Sequence, residues 1–174
     1  MKPHLTQAHL YWKNLLSPSD VVIDATCGNG KDTGYLSELV PLGKVYSIDI
    51  QERALDSAKA TVKNSNVVFL LQSHATLPCL ESVKLIVYNL GYLPGGDKTI
   101  TTMTESTLLS LQVASDLVIQ GGALSITCYP GHLEGEREER GVAEWTSQLN
   151  SLKWKTIHHQ WLKGSPNLFF ITKQ

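Results

Sequence analysis

Val21-Val22-Ile23-Asp24-Ala25-Thr26-Cys27-Gly28-Asn29-Gly30-Lys31-Asp32-Thr33 is the stretch on which the fold turns. Its first part is a short β-branched run of the kind buried on both faces of a parallel sheet. The acid Asp24 closes the run, and two glycines open the turn into a segment whose Tyr35, Leu36, Leu39 and Val40 suit a helix. Such a turn lets backbone approach a ligand closely at a helix N-terminus. The dinucleotide pattern G-x-G-x-x-G needs a third glycine where this chain has Thr33. An acid ahead of the glycines also suits a cationic ligand better than a pyrophosphate. An ordinary strand-to-helix turn accounts for the same residues without any ligand.

Downstream the unit repeats. Residues 45–49 read as a second strand ending in Asp49, with 51–64 as its helix, and 67–71 and 83–89 as further strands. Residues 104–119 read as a helix with Leu108, Leu111, Ala114 and Val118 inward, 123–128 as a fifth strand, and 135–150 as a helix with Val142, Trp145 and Leu149 on one face. Residues 155–161 and 167–172, joined by Lys163-Gly164-Ser165-Pro166, read as two paired strands. Upstream, Leu5, Ala8, His9, Trp12 and Leu15 mark a helix stopped at Ser17-Pro18. The expectation is one α/β domain over 1–174, with residues 1–17 as a helix packed on the core. A mostly parallel seven-stranded sheet should carry helices on both faces and end in an antiparallel hairpin.

The chain has 174 residues, 42% hydrophobic and 18% charged, which excludes a disordered chain. No apolar run approaches the ~20 residues of a spanning helix. Met-Lys-Pro-His-Leu-Thr-Gln lacks the apolar core of a signal peptide, so a cytoplasmic protein is expected. Cys27, Cys79 and Cys128 form no C-x-x-C pair and read as free thiols, with no metal site. A net charge of −1 gives no global field for nucleic acid, so any basic surface is local.

Asp49 lies 19 residues after Gly30, near the spacing of about 20 at which such an acid meets ribose hydroxyls. Strand ends in an open α/β sheet face the ligand crevice, which places there the loop Asn89-Leu90-Gly91-Tyr92-Leu93-Pro94-Gly95-Gly96-Asp97-Lys98. A turn explains Gly91, Pro94, Gly95 and Gly96, but does not call for Asn89 or Tyr92. Ser73-His74 follows the third strand and Tyr129-Pro130-Gly131-His132 the fifth. His74 also reads as an exposed loop histidine, and His132 as a turn residue before a helix.

The glycine turn with Asp24 and Asp49 resembles motifs I and II of class I S-adenosylmethionine-dependent methyltransferases. Combined with Asn-Leu-Gly-Tyr-Leu-Pro-Gly-Gly-Asp and Tyr-Pro-Gly-His, it is similar over essentially the whole chain to a small bacterial family. That family was long labelled putative rRNA methylases: the MnmM (YtqB) type of tRNA 5-(aminomethyl)-2-thiouridine methyltransferase. The loop departs from the Asn/Asp-Pro-Pro-Tyr/Phe of adenine-amine methylases and lacks the Pro-Cys of cytosine carbon-5 methylases.

The resemblance implies a Rossmann-like class I methyltransferase fold and S-adenosylmethionine as cofactor. By it, Thr26, Cys27, Gly28, Asn29, Gly30, Asp32 and Thr33 line the methionine part, with Asp24 near its amino group. Asp49 holds the ribose, and Gln51, Ser73 and His74 lie toward adenine. Leu90, Gly91, Pro94, Gly95, Gly96 and Tyr129 line the acceptor side. Asn89 accepts a hydrogen bond from the amine, Tyr92 and Tyr129 stack on a splayed base, and His132 or Asp97 takes the proton.

The implied reaction converts 5-aminomethyl-2-thiouridine to 5-methylaminomethyl-2-thiouridine at the tRNA wobble position. The implied partner is tRNA through its anticodon region, with no membrane; small size and four tryptophans suggest a homodimer. Competing readings are an rRNA or small-molecule amine methyltransferase and, from another class, a non-catalytic or NAD-dependent Rossmann protein. Thr33 and the terminal hairpin count against the last.

Three further expectations concern features outside these motifs. Cys27 and Cys128, at strand ends, serve packing rather than covalent catalysis, because a nitrogen acceptor needs no thiol. Glu134-Gly135-Glu136-Arg137-Glu138-Glu139-Arg140 forms a solvated first helical turn. Lys2, His4, His9 and Lys13 with Tyr11 and Trp12 make a modestly basic helix that touches RNA or, for Trp12, packs on the core.

Overall fold

A computed structural model describes residues 2–93 and 95–174. The elements run α1 (Pro3–Leu15), β1 (Val21–Asp24), α2 (Lys31–Leu39), β2 (Lys44–Asp49), α3 (Glu52–Thr61), β3 (Val67–Leu71) and β4 (Val83–Asn89). They continue with α4 (Thr104–Leu117), β5 (Val118–Cys128), α5 (Leu133–Ser147), β6 (Trp154–Gln160) and β7 (Asn167–Lys173). The strands form one seven-stranded sheet in the order β3-β2-β1-β4-β5-β7-β6. The first five pair in parallel; β7 runs antiparallel between β5 and β6. This is the architecture expected from the alternating strands and helices and the closing hairpin.

The strands are apolar on both faces, as a doubly covered parallel sheet requires. Ile23, Ile48, Ile86, Tyr88, Leu124 and Ile126 point to the face packed by Leu111 and Ala114 of α4 and Val142 of α5. Val22, Val45, Leu85, Val87 and Ala123 point the other way, against Ala8 and Trp12 of α1 and Leu36 of α2. Burying one such side chain contributes about 1.5–3 kcal/mol. Trp12 is fully buried, and its indole N–H donates to Ser125 Oγ at 2.9 Å, fastening α1 to β5.

Several boundaries and one face differ from expectation; α5, expected over 135–150, runs Leu133–Ser147. The helix expected to reach residue 119 stops at Leu117, and β5 starts at Val118. A register shift follows, since Val83 pairs with Val118 whereas Leu85 pairs with Ala123, and the glycine-bearing run 119–122 bulges between them. The helix expected to reach residue 64 ends at Thr61, where Val62 leaves the helical conformation. His4 and His9 of α1 turn inward, toward Tyr129 and Asp32, rather than outward to a partner. Among the described residues no helix is long and apolar enough to cross a membrane.

Candidate active site

The parallel register brings the strand ends to one edge: Asp24 pairs with Ser47 and Val87, Asp49 with Leu71, and Asn89 with Thr127. Above them the glycine turn is tied on three sides. Asp24 lies beneath it, fully buried, with Oδ2 accepting from Thr33 Oγ1 at 2.6 Å and Oδ1 from the Thr26 amide at 3.2 Å. Burial raises the carboxyl from 3.8 to about 7 against the opposing pull of those bonds. Thr33 also meets Ser47 Oγ at 2.7 Å, so the residue standing where a dinucleotide fold has glycine is a buried polar bridge between α2, β1 and β2. Asp24 and Thr33 thus shape the turn from below.

Gly30 is the N-cap of α2 at φ +77°, and a Cβ there would stand 2.7 Å from the Cβ of Ala58, so only glycine lets α3 pack this close. Gly28, at φ +52°, sends its N–H to Asp49 Oδ2 at 2.9 Å, and the Gln51 amide donates to Oδ1 at 2.9 Å. Two backbone donors thereby aim a half-buried carboxylate at the strand edge. Each oxygen keeps a second lone-pair direction for a ribose hydroxyl. A Gly28 Cβ would come within 3.5 Å of Leu93, so the space between turn and acceptor loop depends on the missing side chain. This open cradle beside a pre-aimed acid fits S-adenosylmethionine. Cys27 is buried and its thiol pushed up to about 12 by burial and by Asp24, which leaves it a packing residue.

His74 is not an exposed loop histidine. It is buried, edge-on to Tyr88, with Nε2 3.3 Å from Thr107 Oγ1. Thr107 spends its one hydroxyl hydrogen on Glu138 Oε1 at 2.6 Å, so Nε2 of His74 donates and Nδ1 is the acceptor nitrogen. Burial lowers this histidine's pKa. Ser73 sits beside it with Oγ taken by the Ala75 amide at 3.1 Å.

On the acceptor side, the Asn89 amide N–H donates to Thr26 Oγ1 at 2.7 Å, and its side-chain Nδ2 donates to Asp32 Oδ2 at 2.5 Å. Its Oδ1 is buried with no partner. Leaving a buried acceptor unpaired costs about 1–3 kcal/mol, which marks this oxygen as an acceptor held open. Gly91 and Thr102 close the loop by Gly91 N–H to Thr102 Oγ1 at 2.8 Å and Thr102 N–H to the Gly91 carbonyl at 2.9 Å. Tyr92 bridges to Thr101, is 38% exposed, and stands 5.7 Å from the His132 ring, with Lys98 Nζ 5.6 Å from its own centroid. Tyr129 is half-buried near Asp32, its hydroxyl 3.3 Å from His4 Nε2 and pushed up to about 12 by burial. Gly95 and Gly96 lie on the outer turn, and Pro94 lies outside the described residues.

Other candidates on this side do different work. Leu90 is buried in the core under α4 and is not on the acceptor surface, because its side chain follows the inward alternation of β4. Asp97 is exposed and accepts from the Thr99 amide at 2.9 Å and hydroxyl at 2.7 Å, which hold it below the usual carboxylate range and make it a poor proton acceptor. His132 is the N-cap of α5: its Nδ1 accepts from the Gly135 amide at 3.1 Å. The turn reading of His132 fits this cap: its Nδ1 lone pair is engaged, while its Nε2 is buried with no partner.

The charged start of α5 is solvated only in part: Glu136, Arg137 and Arg140 are exposed, whereas Glu134 and Glu138 turn toward the acceptor loop and α4. Glu138 is 2% exposed and accepts from Thr107 Oγ1 and, at 2.8 Å, from Thr102 Oγ1. Glu134 accepts from the Thr104 amide at 2.9 Å and caps α4 from outside. These supports for the acceptor loop are not evident from the sequence, where threonines at 102, 104 and 107 and a later run of acids are the available signal.

The fold and this site define a class I S-adenosylmethionine-dependent methyltransferase. Residues 45–173 match the family described as "Putative rRNA methylase", and the chain belongs to that family. It is 34% identical over 186 residues to a chloroplastic tRNA (mnm5s2U34)-methyltransferase of Arabidopsis thaliana, covering 96% of this chain and 68% of the plant protein. A putative rRNA methylase of Clostridium thermocellum superposes with a TM-score of 0.93 at 32% identity, over 100% of this chain and 99% of that one. A putative methyltransferase of Streptococcus mutans, solved in complex with SAH, gives 0.91 at 30% identity over the same shares.

Proposed function

We propose that the protein methylates the aminomethyl nitrogen of 5-aminomethyl-2-thiouridine at the wobble position of tRNA, yielding 5-methylaminomethyl-2-thiouridine. The observation that carries this reading is the unpartnered, buried Oδ1 of Asn89 at the strand edge beside the glycine turn. It is an acceptor suited to an amine N–H, and the name of the plant relative supplies the nucleoside class.

When bound, S-adenosylmethionine would supply an activated sulfonium methyl for in-line transfer to an amine nitrogen, with S-adenosylhomocysteine as the leaving group and no covalent help from the protein. The protein's share is placement, worth up to about 7–11 kcal/mol in favourable systems. Asp49 would hold the ribose, the Gly28 to Gly30 turn would receive the methionine part, and Gln51, Ser73 and His74 would border the adenine. Asn89 Oδ1 receives one N–H of a neutral amine, which directs the nitrogen lone pair away from Asn89. Tyr92 and Tyr129 give the base faces to stack on. With Asp97 held anionic by Thr99 and His132 engaged as a cap, the proton of the product ammonium passes to solvent.

Nucleoside mass spectrometry of tRNA carrying 5-aminomethyl-2-thiouridine, incubated with the protein and S-adenosylmethionine, tests the reading. One added methyl on that nucleoside is the expected result. A methyl on rRNA alone, or on none of these, overturns the tRNA assignment. Asp49→Ala should weaken SAH binding, whereas Asn89→Ala should chiefly lower kcat.

A further inference from the structure

α1 packs outside the alternating strand-helix units, yet it reaches the acceptor site. His9 Nε2 lies 2.8 Å from Asp32 Oδ1, and its ring stacks on Tyr35 with centroids 4.2 Å apart and planes 17° apart. Trp12, anchored in the core, flanks the same ring at 4.8 Å. The other oxygen of Asp32 takes Nδ2 of Asn89 at 2.5 Å. A carboxylate accepts and does not donate, so Asp32 can face only the NH2 end of the Asn89 amide, which sends Oδ1 to the opposite side. There Oδ1 is buried and unpartnered.

We propose that His9 and Asp32 are positioning residues for methyl transfer, through which α1 fixes the orientation of the Asn89 amide so that its oxygen, and not its NH2, meets the acceptor amine. The inference rests on the reading of Asn89 given above. The two ends of an asparagine amide have nearly the same shape, so packing alone does not choose between them. The choice matters chemically. An Asn89 turned the other way would donate into the amine lone pair, the pair that must attack the methyl carbon, and would withdraw the acceptor for the amine N–H. His9 occupies the outer oxygen of Asp32 and leaves the inner one for Asn89. Tyr35 and Trp12 keep the imidazole plane in place.

The test uses the full chain with Asp32→Asn, His9→Phe and His9→Gln. Three quantities are read: kcat and KM on aminomethyl-bearing tRNA, the Kd for SAH by calorimetry, and the side-chain amide resonances of Asn89 in protein labelled with 15N-asparagine. Asp32→Asn, which can donate to Oδ1 and so turn the amide, should lower kcat by about 100-fold with the SAH Kd within about threefold. His9→Phe should lower kcat by about tenfold, and His9→Gln, whose amide still donates to Asp32, should recover most of it. The Asn89 amide resonances should move in the first two variants and stay near wild type in the third.

A loss of SAH affinity matching the loss of kcat would make Asp32 a cofactor ligand and overturn the proposal. So would an unmoved Asn89 amide in both Asp32→Asn and His9→Phe. If the wild type methylates no aminomethyl nucleoside, the functional reading fails on its own, and the amide resonances still decide whether His9 and Asp32 orient Asn89.

Discussion

The hydroxyl of Thr33 stands 2.6 Å from Oδ2 of Asp24, joining the first turn of α2 to the end of β1 in a place sealed from solvent. Thr33→Val keeps the shape and deletes the donor, leaving a buried carboxyl short of a partner. Urea unfolding should show a loss of about 1–3 kcal/mol. An unchanged midpoint and slope would mean that the bond contributes nothing to the turn.

The raised carboxyl of Asp24 ties stability to pH. In the folded protein it holds its proton to about 7, whereas the unfolded chain releases it near 3.8. The folded state therefore binds more protons between those values. Its advantage is complete below the lower value and is lost as pH rises through the upper one. Asp24→Asn carries no such charge, so its unfolding free energy relative to wild type should climb between about pH 4 and 7, by at most about 1.4 kcal/mol per unit. A pH-independent difference would contradict the burial of this group.

His132 should behave as a helix cap. His132→Ala removes the acceptor for the Gly135 amide and should cost about 1 kcal/mol, while His132→Asn restores a preferred capping group and should recover most of it. Equal losses in both variants, measured by thermal or urea unfolding, would assign the ring a packing role.

The three thiols should differ sharply in reactivity. Cys27 and Cys128 are buried with pKa values raised by burial, and Cys79 is exposed. An aromatic disulfide reagent added to the native protein should modify one thiol promptly, mapped to Cys79 by peptide mass, and the other two only after unfolding. Fast reaction at Cys27 would reopen a thiol role at the glycine turn.

The strand ends were legible because the information is local. A β-branched run ending in Asp24, Asp49 or Asn89 declares both the strand and the edge at which it stops. The supports of those residues were not legible, because their partners lie far along the chain. Asp32, which the resemblance places beside the methionine part of the cofactor, gives no local sign that His9 arrives at it from α1 and Asn89 from β4. The acids of α5 look solvated because a charge run does not say which face is turned toward Thr102, Thr104 and Thr107. Leu90 shows the reverse limit: a loop motif suggested a surface, and the alternation of β4 carried the side chain inward.

The strand order also dictates when the molecule can be finished. β7 comes after β6 in the chain but lies between it and β5. During synthesis β6 therefore emerges with no place on the sheet, and β5 keeps an open edge until residues 167–173 follow. A nascent chain paused before that point exposes unpaired strand backbone next to Leu124 and Ile126, a template for joining another chain. Translation through residues 167–173 is thus a point of exposure to aggregation for a fold whose earlier units can assemble in order.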